Sequence, residues 1–330
     1  MSDVLLLASF LVGAGVSLAA SWLLVTRLER IGAGVGLSEA LLGMLAALAA
    51  DSPEVTSAVT ALAGGHERIG AGVVIGSNVF NLAALLGLGA IAAGRIVLHR
   101  RVLLLEGLVA ILIAATALAV VVAGLSPAAG VLACLVVLVP YVAVSSGPTR
   151  QRWLPATWRD WLSEAVAEEE LELAGAFDHQ LPRRRDVAVA IVAVLVVIGA
   201  SIAMEQTGST LGTRHGIPQI VIGGLVLAAV TSLPNAVSAV YLATRGRGAA
   251  TLSTALNSNA LNVLAGLLLP AVFVGLGARS GQTTLITVWY AGFTVAVLGL
   301  ALAGRGLGRV GGVAIVLAYA TFAATLALSA

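Results

Sequence analysis

The chain has no lysine: all eighteen of its basic residues are arginine. Charged residues fill only 10% of its 330 positions, against about 25% in a soluble domain, which excludes the ordinary water-soluble class. The single cysteine, Cys134, lies in an apolar run and excludes a disulfide framework. No Asp or Glu follows Glu205. There is no His-Glu-x-x-His helix and no second catalytic aspartate on another apolar run, so an intramembrane hydrolase would lack its machinery, and no enzyme is expected. The amino terminus carries Asp3 where a cleavable signal would be basic, so the first apolar run is expected to be retained. The net charge of +2 comes from arginines in loops, and no nucleic-acid surface is expected.

What is present is hydrophobic. Such residues make up 59% of the chain, in runs of about 20 that follow one another from end to end, which means a polytopic all-α membrane protein. The runs predict ten spans, near 4–26, 38–64, 69–93, 102–124, 127–145, 186–205, 217–243, 249–275, 283–303 and 310–329. With the amino terminus outside, fifteen arginines fall in inner loops and only Arg68, Arg214 and Arg279 in outer ones, the bias that sets orientation. A cell-membrane protein with both termini outside is expected. The polar stretch Ser146–Arg185 is then cytoplasmic and separates membrane units 1–145 and 186–330. It carries Trp153, Trp158 and Trp161, and positions 158, 161, 162 and 165 form one apolar stripe, suited to a short amphipathic helix at the interface. Glu168, Glu169, Glu170 and Glu172 read as a solvated helix face.

The two membrane units share a layout at a constant offset: 234 − 53 = 181 for the prolines Pro53 and Pro234. The same step carries Gly43 to Gly224, Ser57 to Ser238, Asn78 to Asn259 and Asn81 to Asn262. Five spans separate each pair, an odd number, so the halves are predicted to be inverted repeats of five helices. In that plan substrate sites lie near mid-bilayer between the repeats. Gly, Ser, Asn and Pro concentrate in spans two, three, seven and eight, as in broken helices lining a polar cavity.

Asp51 and Glu54 flank Pro53 about thirteen residues into their span. An acid in hydrocarbon costs at least about 2.5–3.5 kcal/mol, which makes it a functional candidate. Three residues apart, the two share a helical face, and Pro53 displaces the Ala49 carbonyl four residues back. Carboxylates beside a freed backbone oxygen suit a hard cation. Two carboxylates one turn apart in low dielectric cannot easily both ionise and would titrate as a pair, so proton coupling is a second reading. Ser77, Asn78 and Asn81, with Ser258, Asn259 and Asn262, add neutral oxygens from the two matched clusters. Glu39 and Glu106 lie close enough to span ends to reach the interface. His66, His99, His179 and His215 lack metal-ligand spacing.

This combination resembles the Ca2+/cation antiporter superfamily, and the sodium/calcium exchanger family most closely. The pattern is a Thr-Ser-Leu-Pro-Glu-like element followed by a Gly-Ser-Asn-X-Phe-Asn/Asp-like element, once per half. The first half reads Ala50-Asp51-Ser52-Pro53-Glu54 and then Gly76 to Asn81; the second reads Thr231-Ser232-Leu233-Pro234-Asn235 and then Asn257 to Asn262. The resemblance implies alternating access, with Na+ or H+ exchanged for Ca2+ at one central site and no cofactor beyond the ions carried. It assigns Glu54 as the first-repeat acid, Asn81 as its partner, and Thr231 and Ser232 as hydroxyl or carbonyl ligands. The chain departs from the pattern in a definite way. The second-repeat acid is Asn235 and the later acid position is Asn262, while Asp51 adds a carboxylate to the first repeat. Asp51, Glu54, Asn81, Asn235 and Asn262 are the metal-ligand candidates. Glu54 and Asn235 are expected within about 10 Å of each other around one ion.

Overall fold

In hydrocarbon every backbone N–H and C=O must be satisfied within the protein, and a run of Leu, Ala and Val does this only as helix. The computed structural model describes residues 1–145, 155–174 and 184–329 and is almost wholly helical. The first half contains α1 (Asp3–Gly34), α2 (Glu39–Ala50), α3 (Ser52–Ala63), α4 (Glu67–Ala93), β1 (Arg95–Val97), α5 (Arg100–Ala123) and α6 (Pro127–Ser145). The linker helix α7 (Ala156–Ala174) follows. The second half contains α8 (Arg184–Arg214), α9 (Gln219–Thr231), α10 (Leu233–Thr244), α11 (Gly248–Val274), α12 (Gly281–Gly304), β2 (Gly306–Gly308) and α13 (Arg309–Leu328).

Among the described residues eight helices are long and apolar enough to cross a membrane, and α9 with α10 form a further pair bent by 48°. The expected span 217–243 is thus two helices. The expected span 38–64 is likewise α2 and α3, joined at Asp51. The expected spans 4–26 and 186–205 are cores of longer helices, of 32 and 31 residues. The offset holds in the architecture: adding 181 to the starts of α1, α3, α4 and α5 (3, 52, 67 and 100) gives 184, 233, 248 and 281. These are the starts of α8, α10, α11 and α12.

Several contacts join the halves. Gly72 and Gly76 of α4 meet Gly223 and Gly224 of α9 so closely that a Cβ on Gly72 would sit 2.9 Å from the Gly224 nitrogen. One on Gly76 would overlap the Gly224 carbonyl oxygen. Only small residues let two helix backbones approach like this. The long helices α1 and α8 run alongside each other, with the hydroxyls of Ser17 and Ser201 2.8 Å apart. Arg27 donates to Asp186 at 3.1 Å towards one end, and at the other Asp3 meets Arg214 and His215, each at 3.0 Å. At the arginine-rich side β1 pairs antiparallel with β2, Ile96 opposite Leu307.

Helix α7 lies within the polar stretch and packs its apolar residues on protein. Leu162 and Val166 are buried with Val144, and Leu105 and Trp161 pack against them, so protein covers the stripe. Trp153 and His179 lie outside the described residues, as do the side chains of Trp158, Glu168, Glu169 and Glu170.

Candidate functional site

Both broken helices are built by the same local rule. Proline stands at the second position of α3 and of α10, where a missing N–H costs nothing and the ring blocks continuation of the preceding helix. The joint residues then adopt near-identical backbones: Asp51 at φ −79°, ψ −5° and Ser232 at φ −82°, ψ −1°. Asp51 and Glu54 are therefore not on one uninterrupted helix. Asp51 is the joint itself, and Glu54 lies in the first turn of α3, where a helix N-terminus favours an anion. The Ala49 carbonyl freed by Pro53 is not left for a cation either. The hydroxyls of Ser21, at 3.0 Å, and of Ser52 both donate to it.

Where the two breaks cross, the candidate residues of both halves interlock. Ser232 donates through Oγ to Glu54 Oε1 at 2.9 Å. Asn235 donates through Nδ2 to Asp51 Oδ1 and, at 3.2 Å, to Ser258 Oγ, while Ser258 donates to Asp51 Oδ1 at 2.6 Å. Asn81 donates to Ser258 Oγ at 3.0 Å and to Asn259 Oδ1 at 3.1 Å. Asn78 and Asn259, 181 residues apart, donate to each other's backbone carbonyls at 3.1 and 3.0 Å, a reciprocal pair between matched positions. Asn262 donates to Asn78 Oδ1 at 3.3 Å. Ser77 and Thr231 turn their hydroxyls to backbone, Ser77 to Ala228 O at 3.5 Å and Thr231 to Leu227 O at 2.9 Å. All eleven side chains are buried. Asn235 is bonded to Asp51, and Glu54 to Ser232, while Ser77 and Thr231 bond to backbone.

The cluster is polar but incompletely satisfied. Asp51 Oδ2, Glu54 Oε2, Asn81 Oδ1 and Asn262 Oδ1 are all buried without a hydrogen-bond partner. An unpaired buried polar atom costs about 1–3 kcal/mol, and more when charged. Four oxygens from two carboxylates and two amides, spread over both halves, are the donor chemistry of a hard-cation site.

A cavity of about 440 Å3 reaches this cluster at Asn235. It is lined by Thr26 and Glu29 of α1, Gly43 and Ala50 of α2, Asn235 of α10 and Thr254 of α11. Asn235 and Ala50 are among its lining residues, and Asp51, bonded to Asn235, is fully buried and does not line it. A second cavity of about 360 Å3, beside Gly124 and Arg279, is lined by none of the site residues.

Two features escaped sequence reasoning. Ser21, one of three serines in the apolar helix α1, caps the break of α2. Glu106 does not reach the interface: it is 1% exposed, and Tyr141 donates to its Oε1 at 2.7 Å. Its signal was helix phase rather than distance from the span end.

Fold and site together define a multi-pass integral membrane protein whose buried oxygen cluster lies where two broken helices cross. The chain belongs to the sodium/calcium exchanger family, whose model, described as sodium/calcium exchanger protein, matches residues 5–146 and 186–328. It is similar to CaxA of Alkalimonas amylolytica, a protein named as an antiporter candidate, at 35% identity over 82 residues; that match spans 24% of this chain and 26% of CaxA. Its fold is that of the H+/Ca2+ exchanger CAX, with TM-score 0.74 and 15% identity over 98% of this chain and 86% of that one. The sodium-calcium exchanger NCX_Mj is also similar, with TM-score 0.62 and 20% identity over 98% of this chain and 100% of that one.

Proposed function

We propose that the chain is a secondary active cation antiporter working by alternating access, exchanging Ca2+ for Na+ at the cluster between its halves. The carrying observation is the set of four partnerless buried oxygens on Asp51, Glu54, Asn81 and Asn262. In this reading Asp51 and Glu54 supply the charge, and Asn81, Asn235, Asn262 and Ser258 supply neutral oxygen. Ser77, Asn78, Thr231, Ser232 and Asn259 hold the helices that carry them. The recurrence of helix starts at 181 residues supports ten spans in two inverted repeats of five. The arginine split supports placing both termini outside and the linker inside, with the large cavity facing the cytoplasm.

The second reading is H+-coupled exchange, favoured by two carboxylates sealed together at one joint, where a proton can stand in for a cation. Uptake of radiolabelled Ca2+ into proteoliposomes under separately imposed Na+ and H+ gradients tests both. Uptake driven by Na+ alone supports the first reading, and uptake driven only by H+ supports the second. No uptake under either gradient overturns Ca2+ exchange.

A further inference from the structure

The offset of 181 residues gives each packing contact in one half a counterpart in the other, and one pair of counterparts is chemically unlike. On the closed side Gly72 and Gly76 of α4 press onto Gly223 and Gly224 of α9, backbone to backbone. Adding 181 to 72 and 76 gives 253 and 257, so the matching positions on α11 are Ser253 and Asn257; subtracting it from 224 gives Gly43 on α2. Gly43 lines the 440 Å3 cavity, so here the equivalent helices, though neighbours, leave open space at the glycine. For them to close as the glycine pair does, an asparagine must pass where the other half has only hydrogen.

The asparagine is held sideways. Asn257 Nδ2 donates to Tyr141 Oη at 3.2 Å and to Ser253 Oγ at 2.8 Å, and Tyr141 in turn donates to Glu106 Oε1 at 2.7 Å. Tyr141 and Asn257 are 4% and 3% exposed and Glu106 1%, so the chain of bonds is sealed from water. Its members sit on three helices, α5, α6 and α11. The counterparts of Glu106 and Tyr141 are Thr287 and Phe322, neither an acid nor a phenol. The position matching Asn257 is Gly76, which has no side chain to hold; on that side the buried phenol, Tyr290 of α12, bonds Asn78 of α4 instead. Asn257 also directly precedes Ser258, which donates to Asp51.

We propose that Glu106 and Tyr141 are positioning residues for the closing step: they hold the Asn257 side chain clear of Gly43, so that α2 can shut against α11 and seal the large cavity. The inference rests on the exchanger reading for its transport readout but not for its conformational one. Neither residue touches the cation cluster, so their loss should slow turnover and leave the half-saturating Ca2+ concentration within about twofold.

The test measures radiolabelled Ca2+ exchange in proteoliposomes alongside labelling of Thr26→Cys, in the cavity wall, by a membrane-impermeant thiol reagent. The background is Cys134→Ala, which removes the one native thiol. Tyr141→Phe is expected to cut turnover roughly tenfold, the scale of one buried hydrogen bond to a charged group, and to raise the labelling rate at position 26 as the cavity stays open. Glu106→Gln keeps an acceptor for Tyr141 and is expected to be milder. The decisive variant is Tyr141→Phe combined with Asn257→Gly, which installs the glycine used at position 76. It should restore both turnover and slow labelling. Equal slowing with and without Asn257→Gly, or unchanged labelling in both Tyr141→Phe and Glu106→Gln, overturns the tether. If the parent protein moves no Ca2+, the exchanger reading fails, and the labelling series still decides for or against the tether.

Discussion

The joints at Asp51 and Ser232 have nearly the same backbone and opposite chemistry. Their φ and ψ values agree within 4°, each is followed two residues later by proline, and each ends one helix and starts a 12-residue one. Yet the first joint carries Asp51 and Glu54, and the second carries Ser232 and Asn235. Proline and the helix termini fix the break without reference to charge. The cluster then recombines what the halves separate, since Ser232 and Asn235 donate directly to Glu54 and Asp51. Two matching backbone breaks can thus carry a one-sided distribution of charge, because the acids and their donors meet where the breaks cross.

Removing either acid should break this comparison most severely. Glu54→Gln and Asp51→Asn each leave one charge where two faced the ion. We expect each to weaken Ca2+ binding roughly a hundredfold or more, from about 3 kcal/mol for stripping one partner from a buried charged site. Calcium-dependent thermal stabilisation in detergent reads this without transport, since a ligand bound only to the folded state raises its unfolding temperature. Wild-type stabilisation in Asp51→Asn would make Asp51 a bystander and leave the first half with one working acid.

Next comes the glycine crossing. Gly76→Ala forces a Cβ onto the Gly224 carbonyl, and neither backbone can yield as a flexible side chain would. We expect about 3 kcal/mol of destabilisation, the upper range for overpacking, with α4 and α9 pushed apart. The measurable consequence is new thiol accessibility near Asn78 from the side now closed. Unchanged stability would show that the two helices are less tightly committed than their spacing implies.

Moving charge across the axis should have an intermediate effect. Asn235→Asp gives the second joint the acid that the family pattern places there, beside Asp51. A third carboxylate is expected to tighten Ca2+ roughly tenfold, since calcium affinity rises with ligand charge count. Combined with Asp51→Asn, it returns the count to two with the acids on opposite halves, and Ca2+ binding should recover. Isothermal titration of both variants checks this, and no recovery would mean that the location of the charge matters more than the count.

How much of this was legible beforehand depended on whether the signal was local. The offset, the prolines at 53 and 234, and the paired Ser/Asn clusters are properties of the chain alone, and they locate both breaks and point to the side chains that bond across them. Partner choice was not legible. That the Ala49 carbonyl would be taken by Ser21 depends on how α1 lies against α2, which no spacing encodes. Glu106 was misjudged because distance from a span end is no guide to which neighbour a helix face meets. The open cavity at Gly43 and the closed contact at Gly224 could not be told apart in sequence, where both are a glycine in matching positions.

The smallest expected effect concerns the one place where the linker enters the comparison. Helix α11 starts at Gly248, the counterpart of Glu67 at the start of α4, but the two ends are satisfied differently. On α4 the Ile69 N–H is taken by the backbone carbonyl of His66, at 2.9 Å. On α11 the matching N–H, of Ala250, is taken by Glu172 of the linker helix at 3.0 Å. Burial holds the Glu172 carboxyl above the ordinary glutamate range, partly offset by its bonds to Ala250 and Ala249 and by the nearby charges of His99 and Arg247. A carboxyl with a raised folded-state value binds its proton more readily in the folded than in the unfolded chain. Its contribution to stability is therefore complete below the unfolded value, about 4.3, and is lost as pH rises through the folded one. Glu172→Gln keeps an acceptor for Ala250 but cannot titrate, so it should flatten that part of the stability profile while leaving the unfolding temperature at neutral pH nearly unchanged. Glu172→Ala, which removes the cap, should cost about 1 kcal/mol at every pH. Thermal unfolding of the two variants between about pH 4 and pH 7 separates charge from cap. A steeper loss of stability in Glu172→Gln than in the parent chain would mean that the ionised carboxylate is the favoured partner of α11, and that the linker binds the second half through charge.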